Sequence, residues 1–185
     1  MNHLIFVLSA PSGTGKTTIQ KILKSELKDI DIITTYTTRK PRKNEINGID
    51  YNFVSKEKFE KMIENNEFAE WSIVYGNYYG TPKKQLEENL KMNKKTLLVI
   101  DTQGGLKIKE RYNDNVLLIG ILPPSLIEQE RRMRKRKDMD EQEIQKRLSL
   151  SKEERKILLK FYDIRIVNKD IKKTVERIKK IILSN

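Results

Sequence analysis

Short apolar runs alternate along the chain with stretches whose apolar residues recur at helical spacing. Residues 4–8, 96–100, 116–122 and 164–167 read as strands buried on both faces, because a strand with one face in water would alternate apolar and polar positions. Between them the spacing predicts helices over 16–27, 104–112, 125–134 and 171–183. Strands alternating with helices imply an α/β fold, with a mostly parallel sheet flanked by helices on both faces.

Residues 32–81 break that rhythm. Strand-like pieces at 32–36, 51–54 and 69–75 surround a predicted helix at 55–65, on which Phe59, Met62 and Ile63 share a face. This segment reads as an insertion of mixed α/β architecture. Thr81-Pro82 has the pattern of an N-cap followed by proline at the first helical position, so the regular alternation should restart there. Farther on, Ser125 with Glu128 and Asp140 with Glu143 are spaced as capping boxes. Two helix starts therefore flank 131–138, which reads as a basic turn.

Composition narrows the chemistry. The chain has 185 residues, a size suited to one domain, with 37% hydrophobic and 35% charged residues. It has no cysteine and one histidine, His3, which excludes disulfides, cysteine-ligated zinc and histidine metal clusters. Catalysis must then use carboxylates, arginine, lysine, hydroxyls or a metal carried by a ligand. The 38 Lys+Arg against 26 Asp+Glu give a net charge of +12, which suits nucleic acid, an acidic membrane surface, small polyanions such as nucleotides, or simply solvated lysine-rich helices. No apolar run approaches a bilayer span, so a cytoplasmic location is expected.

Ser9-Ala-Pro-Ser-Gly-Thr-Gly-Lys-Thr-Thr18 follows the first predicted strand and opens the first predicted helix, the context a phosphate-binding loop requires. Its Ser12, Gly13, Thr14, Gly15, Lys16, Thr17 and Thr18 are the candidate ATP-binding residues. The glycines let backbone N–H groups turn toward phosphate, Lys16 reaches the β- and γ-phosphates, and Thr17 offers a hydroxyl to Mg²⁺. Ala10 stands where the general pattern begins with glycine.

Four further motifs accompany the loop: Thr34-Thr-Tyr-Thr-Thr-Arg-Lys-Pro-Arg42, Glu45-x-x-Gly48-x-Asp50-Tyr51, Glu67-Phe-Ala-Glu70-Trp71 and Gly76-Asn-Tyr-Tyr-Gly80-Thr81. Together they resemble the guanylate kinases, and the resemblance covers essentially the whole chain. It implies one domain over 1–185, with a core at 1–33, 82–125 and 150–185, a GMP-binding region at about 34–81 and a helical lid at about 126–149. It further implies that Arg39, Arg42, Tyr51 and Tyr79 hold the GMP phosphate, for which two guanidinium forks and two phenols are suitable donors. Glu70 matches the family's guanine reader, with Thr35, Thr81 and Asp101 completing the base pocket. A carboxylate accepts from guanine N1–H and N2–H₂ together, whereas adenine presents an acceptor at N1. Sites of this kind reject the wrong analogue by about 10⁴-fold or more.

The segment 123–147 resembles the family's lid, placing Arg132, Arg136 and Arg147 on its arginines, and Asn168 falls near the ATP adenine by the same resemblance. Lys16, Arg39, Arg136 and Arg147 are the residues implied to stabilise the transferring group. Val99 stands where the family carries an acidic residue near the metal, which leaves Thr17, ATP oxygens and water to hold Mg²⁺. The implied activity is Mg²⁺-dependent transfer of the ATP γ-phosphoryl group to GMP and dGMP. No nucleic-acid or membrane partner is expected, and the protein should be a monomer or homodimer. Two other readings share part of these motifs. A P-loop kinase acting on a ribose bisphosphate would have no use for Glu70, Thr81 and Asp101 together, and a non-catalytic guanylate-kinase-like binding module would not need Lys16.

Overall fold

The computed structural model describes residues 3–135 and 140–185. Its central strand is β1 (Ile5–Ser9), flanked by β7 (Thr96–Val99) and β8 (Val116–Leu122). Beyond these lie β2 (Asp31–Ile32) and β9 (Ile164–Val167), giving the order β2-β7-β1-β8-β9 with every pair parallel. The alternating side chains of β1 explain its unbroken apolar run. Phe6 and Leu8 face one way, against Ile19 and Leu23 of α1 (Lys16–Glu26) and Val175, Ile178 and Ile182 of α7 (Ile171–Ser184). Ile5 and Val7 face the other, against Leu86 of α3 (Lys83–Lys91), Ile108 of α4 (Thr102–Tyr112) and Leu158 and Tyr162 at the end of α6 (Glu141–Phe161). Both faces are thus dry, as the sequence pattern requires.

The insertion forms a separate four-stranded sheet in the order β4-β3-β6-β5, from β3 (Tyr36–Thr37), β4 (Asn52–Phe53), β5 (Phe68–Val74) and β6 (Asn77–Pro82). Helix α2 (Lys56–Glu64) buries Phe59 and Met62 in a small core with Phe68, whose ring stacks on Phe59 at 4.4 Å between centroids. The expected strand at 32–36 is two strands in different sheets, so the chain leaves the main sheet at 33–35.

Helix starts follow their caps. Asp101 Oδ1 accepts from the N–H groups of Gln103 and Gly104, which starts α4 two residues before the expected position. Both capping boxes form their serine or aspartate half: Ser125 Oγ accepts from Glu128 N–H before α5 (Leu126–Lys135), and Asp140 accepts from Glu143 N–H before α6. The basic stretch expected as a turn is helical from Arg131 to Lys135 as part of α5. The Thr81 cap does not form. Thr81 pairs with Glu70 in the β5–β6 ladder and its hydroxyl bonds the Glu70 carboxylate, so Pro82 takes the N-cap position with no side-chain hydrogen bond.

Candidate active site

The loop between β1 and α1 crosses the carboxyl end of the central strand, where a parallel sheet exposes its ligand-binding edge. Gly13 and Gly15 have φ of +76° and +101°, a left-handed backbone that turns successive peptides around the helix start. From this loop a cleft of about 1170 Å³ extends to the second sheet, lined by Ser12, Lys16, Thr17 and Thr18 at one end and by Thr35, Arg39, Tyr51, Glu70 and Tyr79 at the other. Lys16 Nζ donates to the Ile100 carbonyl at 3.2 Å. Burial lowers its pKa, opposed by the charges of Asp101 and Glu154.

The two ends of the loop differ in what they offer. Thr17 and Thr18 are exposed to the cleft, whereas Thr14 is buried behind the loop, its N–H donating to the Pro11 carbonyl at 3.3 Å. Asn168 is likewise fully buried and bonded to the Thr14 carbonyl and the Thr174 hydroxyl, so its amide is turned to the loop's back rather than to the cleft. Arg132 donates to the carbonyls of Thr14 and Asn168 and pairs with Glu128 at 2.8 Å, reaching the cleft edge. Arg147 donates to Ser12 Oγ at 3.3 Å, pairs with Glu143, and lies 4.6 Å from the Tyr75 ring centroid. Arg136 lies outside the described residues.

At the far end a carboxylate organises the basic residues. Glu45 pairs with Arg39 Nη2 at 2.9 Å, accepts the Arg42 N–H at 2.8 Å and lies 3.9 Å from the Arg42 guanidinium. Arg39 also sits 5.5 Å from the Tyr51 ring centroid, and Tyr51 meets Tyr79 edge to face at 5.9 Å. Burial raises the Tyr51 pKa to about 12, so its phenol stays a neutral donor.

The same end of the cleft also holds an acidic pocket. Thr81 Oγ1 donates to Glu70 Oε1 at 2.6 Å, while Glu70 Oε2 is buried without a partner among the described residues. Burial raises the Glu70 pKa to about 7, and neighbouring Asp101 adds to the rise. Asp101 itself is largely engaged, with Oδ1 capping α4 and Oδ2 accepting from Ser72 Oγ at 2.5 Å. Gly104 makes room for this pocket, since a Cβ there would stand 2.7 Å from Glu70 Oε2.

Three residues at the cleft were not singled out by the sequence reading. Glu154 lines it with a buried Oε2 that has no partner among the described residues, and burial raises its pKa to about 7. It follows Arg147 by seven residues, on the same face of α6, and that spacing was the available signal. Tyr75 occupies the two-residue β5–β6 turn with φ of +51° and presents its ring to Arg147. Glu45 was visible as part of a motif, but its grip on two arginines needed the fold.

Among the described residues, no group of three or more His, Cys, Asp or Glu could hold a metal ion. Thr17 and Glu154 both line the cleft, and their hydroxyl and carboxylate oxygens suit a hard cation that keeps water and phosphate oxygens as its main ligands.

A five-stranded parallel sheet with a phosphate loop at the end of its first strand defines a P-loop protein of the α/β class. The family description that matches residues 2–185 is guanylate kinase, and the chain belongs to that family. It is 45% identical over 181 residues to the guanylate kinase of Clostridioides difficile (strain 630), covering 98% of this chain and 87% of that protein. The guanylate kinase of Caldanaerobacter subterraneus is 42% identical over the same shares of the two chains. The crystal structure of guanylate kinase from Anaplasma phagocytophilum superposes with a TM-score of 0.83 at 37% identity, covering 99% of this chain and 86% of that one.

Proposed function

We propose that this protein transfers the γ-phosphoryl group of ATP, supplied with Mg²⁺, to GMP or dGMP, giving ADP and GDP or dGDP. The observation that carries this reading is one continuous cleft with a phosphate loop at one end and, at the other, a buried carboxylate, Glu70, one of whose oxygens has no partner among the described residues. The acceptor phosphate is taken by Arg39, Arg42, Tyr51 and Tyr79, and the guanine edge by Glu70 with Thr35 and Asp101 beside it. Thr81 acts through Glu70 by fixing one of its oxygens.

The donor lies along the loop, with its phosphates on the backbone N–H groups and Lys16. The Thr17 hydroxyl would help hold Mg²⁺, which would neutralise charge on the donor phosphates. The GMP phosphate is already ionised, so no general base is needed: one of its oxygens attacks the γ-phosphorus in line and ADP leaves. Catalysis then rests on alignment and on neutralising the phosphoryl oxygens by Lys16, Arg39, Arg147 and Arg136. The family membership supports this reading, and no observation favours a ribose bisphosphate acceptor or a purely binding role.

No helix among the described residues is long and apolar enough to cross a membrane. A coupled assay of ADP formation with GMP, AMP, UMP and a ribose bisphosphate offered separately tests the assignment. Turnover should require GMP or dGMP. Equal turnover with AMP, or turnover only with the ribose bisphosphate, would overturn it.

A further inference from the structure

Two buried carboxamides grip the phosphate loop from behind. Gln129 of α5 donates from Nε2 to the Ser12 carbonyl at 2.6 Å and to Ser151 Oγ of α6 at 2.7 Å. Asn168, just after β9, donates from Nδ2 to the Thr14 carbonyl at 2.8 Å and accepts from Thr174 Oγ1 at 3.0 Å. Both residues are fully buried. The two bonded carbonyls belong to the peptides immediately preceding Gly13 and Gly15, the two left-handed glycines of the loop.

A trans peptide is planar, with its C=O and N–H pointing in opposite directions. A carbonyl held toward the core therefore sends the following N–H away from it, toward the cleft. Glycine imposes little preference on such a plane, so the direction must be set from outside. The packing behind both glycines is close: a Cβ on Gly15 would lie 2.9 Å from Asn168 Nδ2, and one on Gly13 would lie 2.9 Å from the backbone carbonyl oxygen of Gln129.

We infer that Gln129 is a positioning residue for the triphosphate, with Asn168 as its counterpart, each fixing one peptide plane so that the Gly13 and Gly15 N–H groups face the donor phosphates before ATP arrives. This rests on the proposed role of the loop in binding ATP. Groups already oriented lose less freedom on binding, so the effect appears as ATP affinity. Packing alone does not account for Gln129, because its Oε1 is buried with no partner among the described residues. An apolar side chain of similar length would avoid that cost.

Stability and ATP binding can therefore be separated in a Gln129→Met/Ser151→Ala variant, which replaces both side-chain partners by apolar groups. Calorimetric titrations with MgATP and with GMP, beside thermal unfolding, are the measurements. The variant should bind MgATP roughly tenfold more weakly, the scale of one lost hydrogen bond, with GMP affinity and melting temperature maintained. Ser151→Ala alone keeps the Ser12 contact and should bind MgATP like the wild type. MgATP affinity unchanged in the double variant, or a joint fall of MgATP affinity, GMP affinity and melting temperature, would overturn the inference. Wild-type protein that does not bind MgATP at all would instead overturn the loop's assignment.

Discussion

The Thr81 hydroxyl holds one oxygen of the Glu70 carboxylate at 2.6 Å and leaves the other buried beside Gly104 and without a partner among the described residues. An unpartnered carboxylate oxygen at such a site is costly unless a ligand supplies the donor. Guanine would do so with its two adjacent N–H groups.

Replacing Glu70 with Gln keeps the size but turns an NH₂ toward a guanine donor. kcat/KM for GMP should fall by the equivalent of about 1 to 3 kcal/mol, the scale of a bidentate base contact, while KM for ATP stays unchanged. Steady-state kinetics with each substrate varied in turn checks this. An unchanged kcat/KM for GMP would remove Glu70 from base recognition.

The same carboxyl should impose a pH dependence. Its pKa is raised to about 7, so GMP, which needs the ionised form, must displace a proton at lower pH. KM for GMP should rise as pH falls from 8 to 6, and more steeply in the wild type than in Glu70→Gln, where only the phosphate's own titration remains. For stability the sign is the reverse. The native state holds the proton more tightly than the unfolded chain, so this group destabilises the fold as pH rises from about 4.5 to about 7. Glu154 adds a parallel slope. Melting temperature against pH should flatten over that window in either Gln variant.

Gly104→Ala places a methyl 2.7 Å from Glu70 Oε2. Alanine favours a helix by about 1 kcal/mol over glycine, which offsets part of the strain in overall stability, while the carboxylate must still move. GMP should bind at least about tenfold more weakly, with ATP binding retained. Paired titrations with the two nucleotides decide it.

Lys16 and Arg147 are proposed to act at the donor end. Lys16→Ala should lower kcat by about 10²- to 10³-fold or more without unfolding the protein, because its cation serves phosphate charge rather than packing. Arg147→Ala should lower kcat more than it raises KM for GMP, as expected of a contact strongest in the transition state. A rise in KM alone would assign Arg147 to ground-state binding.

Much of this was readable from residue order. Strands β1, β7 and β8 were visible because each is a short apolar run buried on both faces, and the phosphate loop because its glycines and Lys16 sit between such a run and a helix. Strand β9 was located, but as an edge strand it leaves Arg165 and Val167 exposed rather than buried, and Ile32 of β2 was read as part of the insertion. Strand β6 was not visible, since Asn77–Pro82 mixes tyrosines with glycine and proline and shows no regular alternation, although it forms a hairpin with β5 and also pairs with the distant β3. The Thr81 cap failed for a related reason: its hydroxyl had a tertiary partner in Glu70 that local spacing could not reveal. Glu154 and Gln129 look like solvated helical residues in sequence, and only the packing of α5 and α6 on the loop shows them to be turned inward.

The most direct test follows the phosphorus itself. A ³¹P NMR time course of wild-type protein with MgATP and GMP should show the GMP signal disappear as GDP and ADP form in equal amounts, with negligible inorganic phosphate. Release of inorganic phosphate at the rate of ATP loss, with GMP unchanged, would contradict phosphoryl transfer in this cleft.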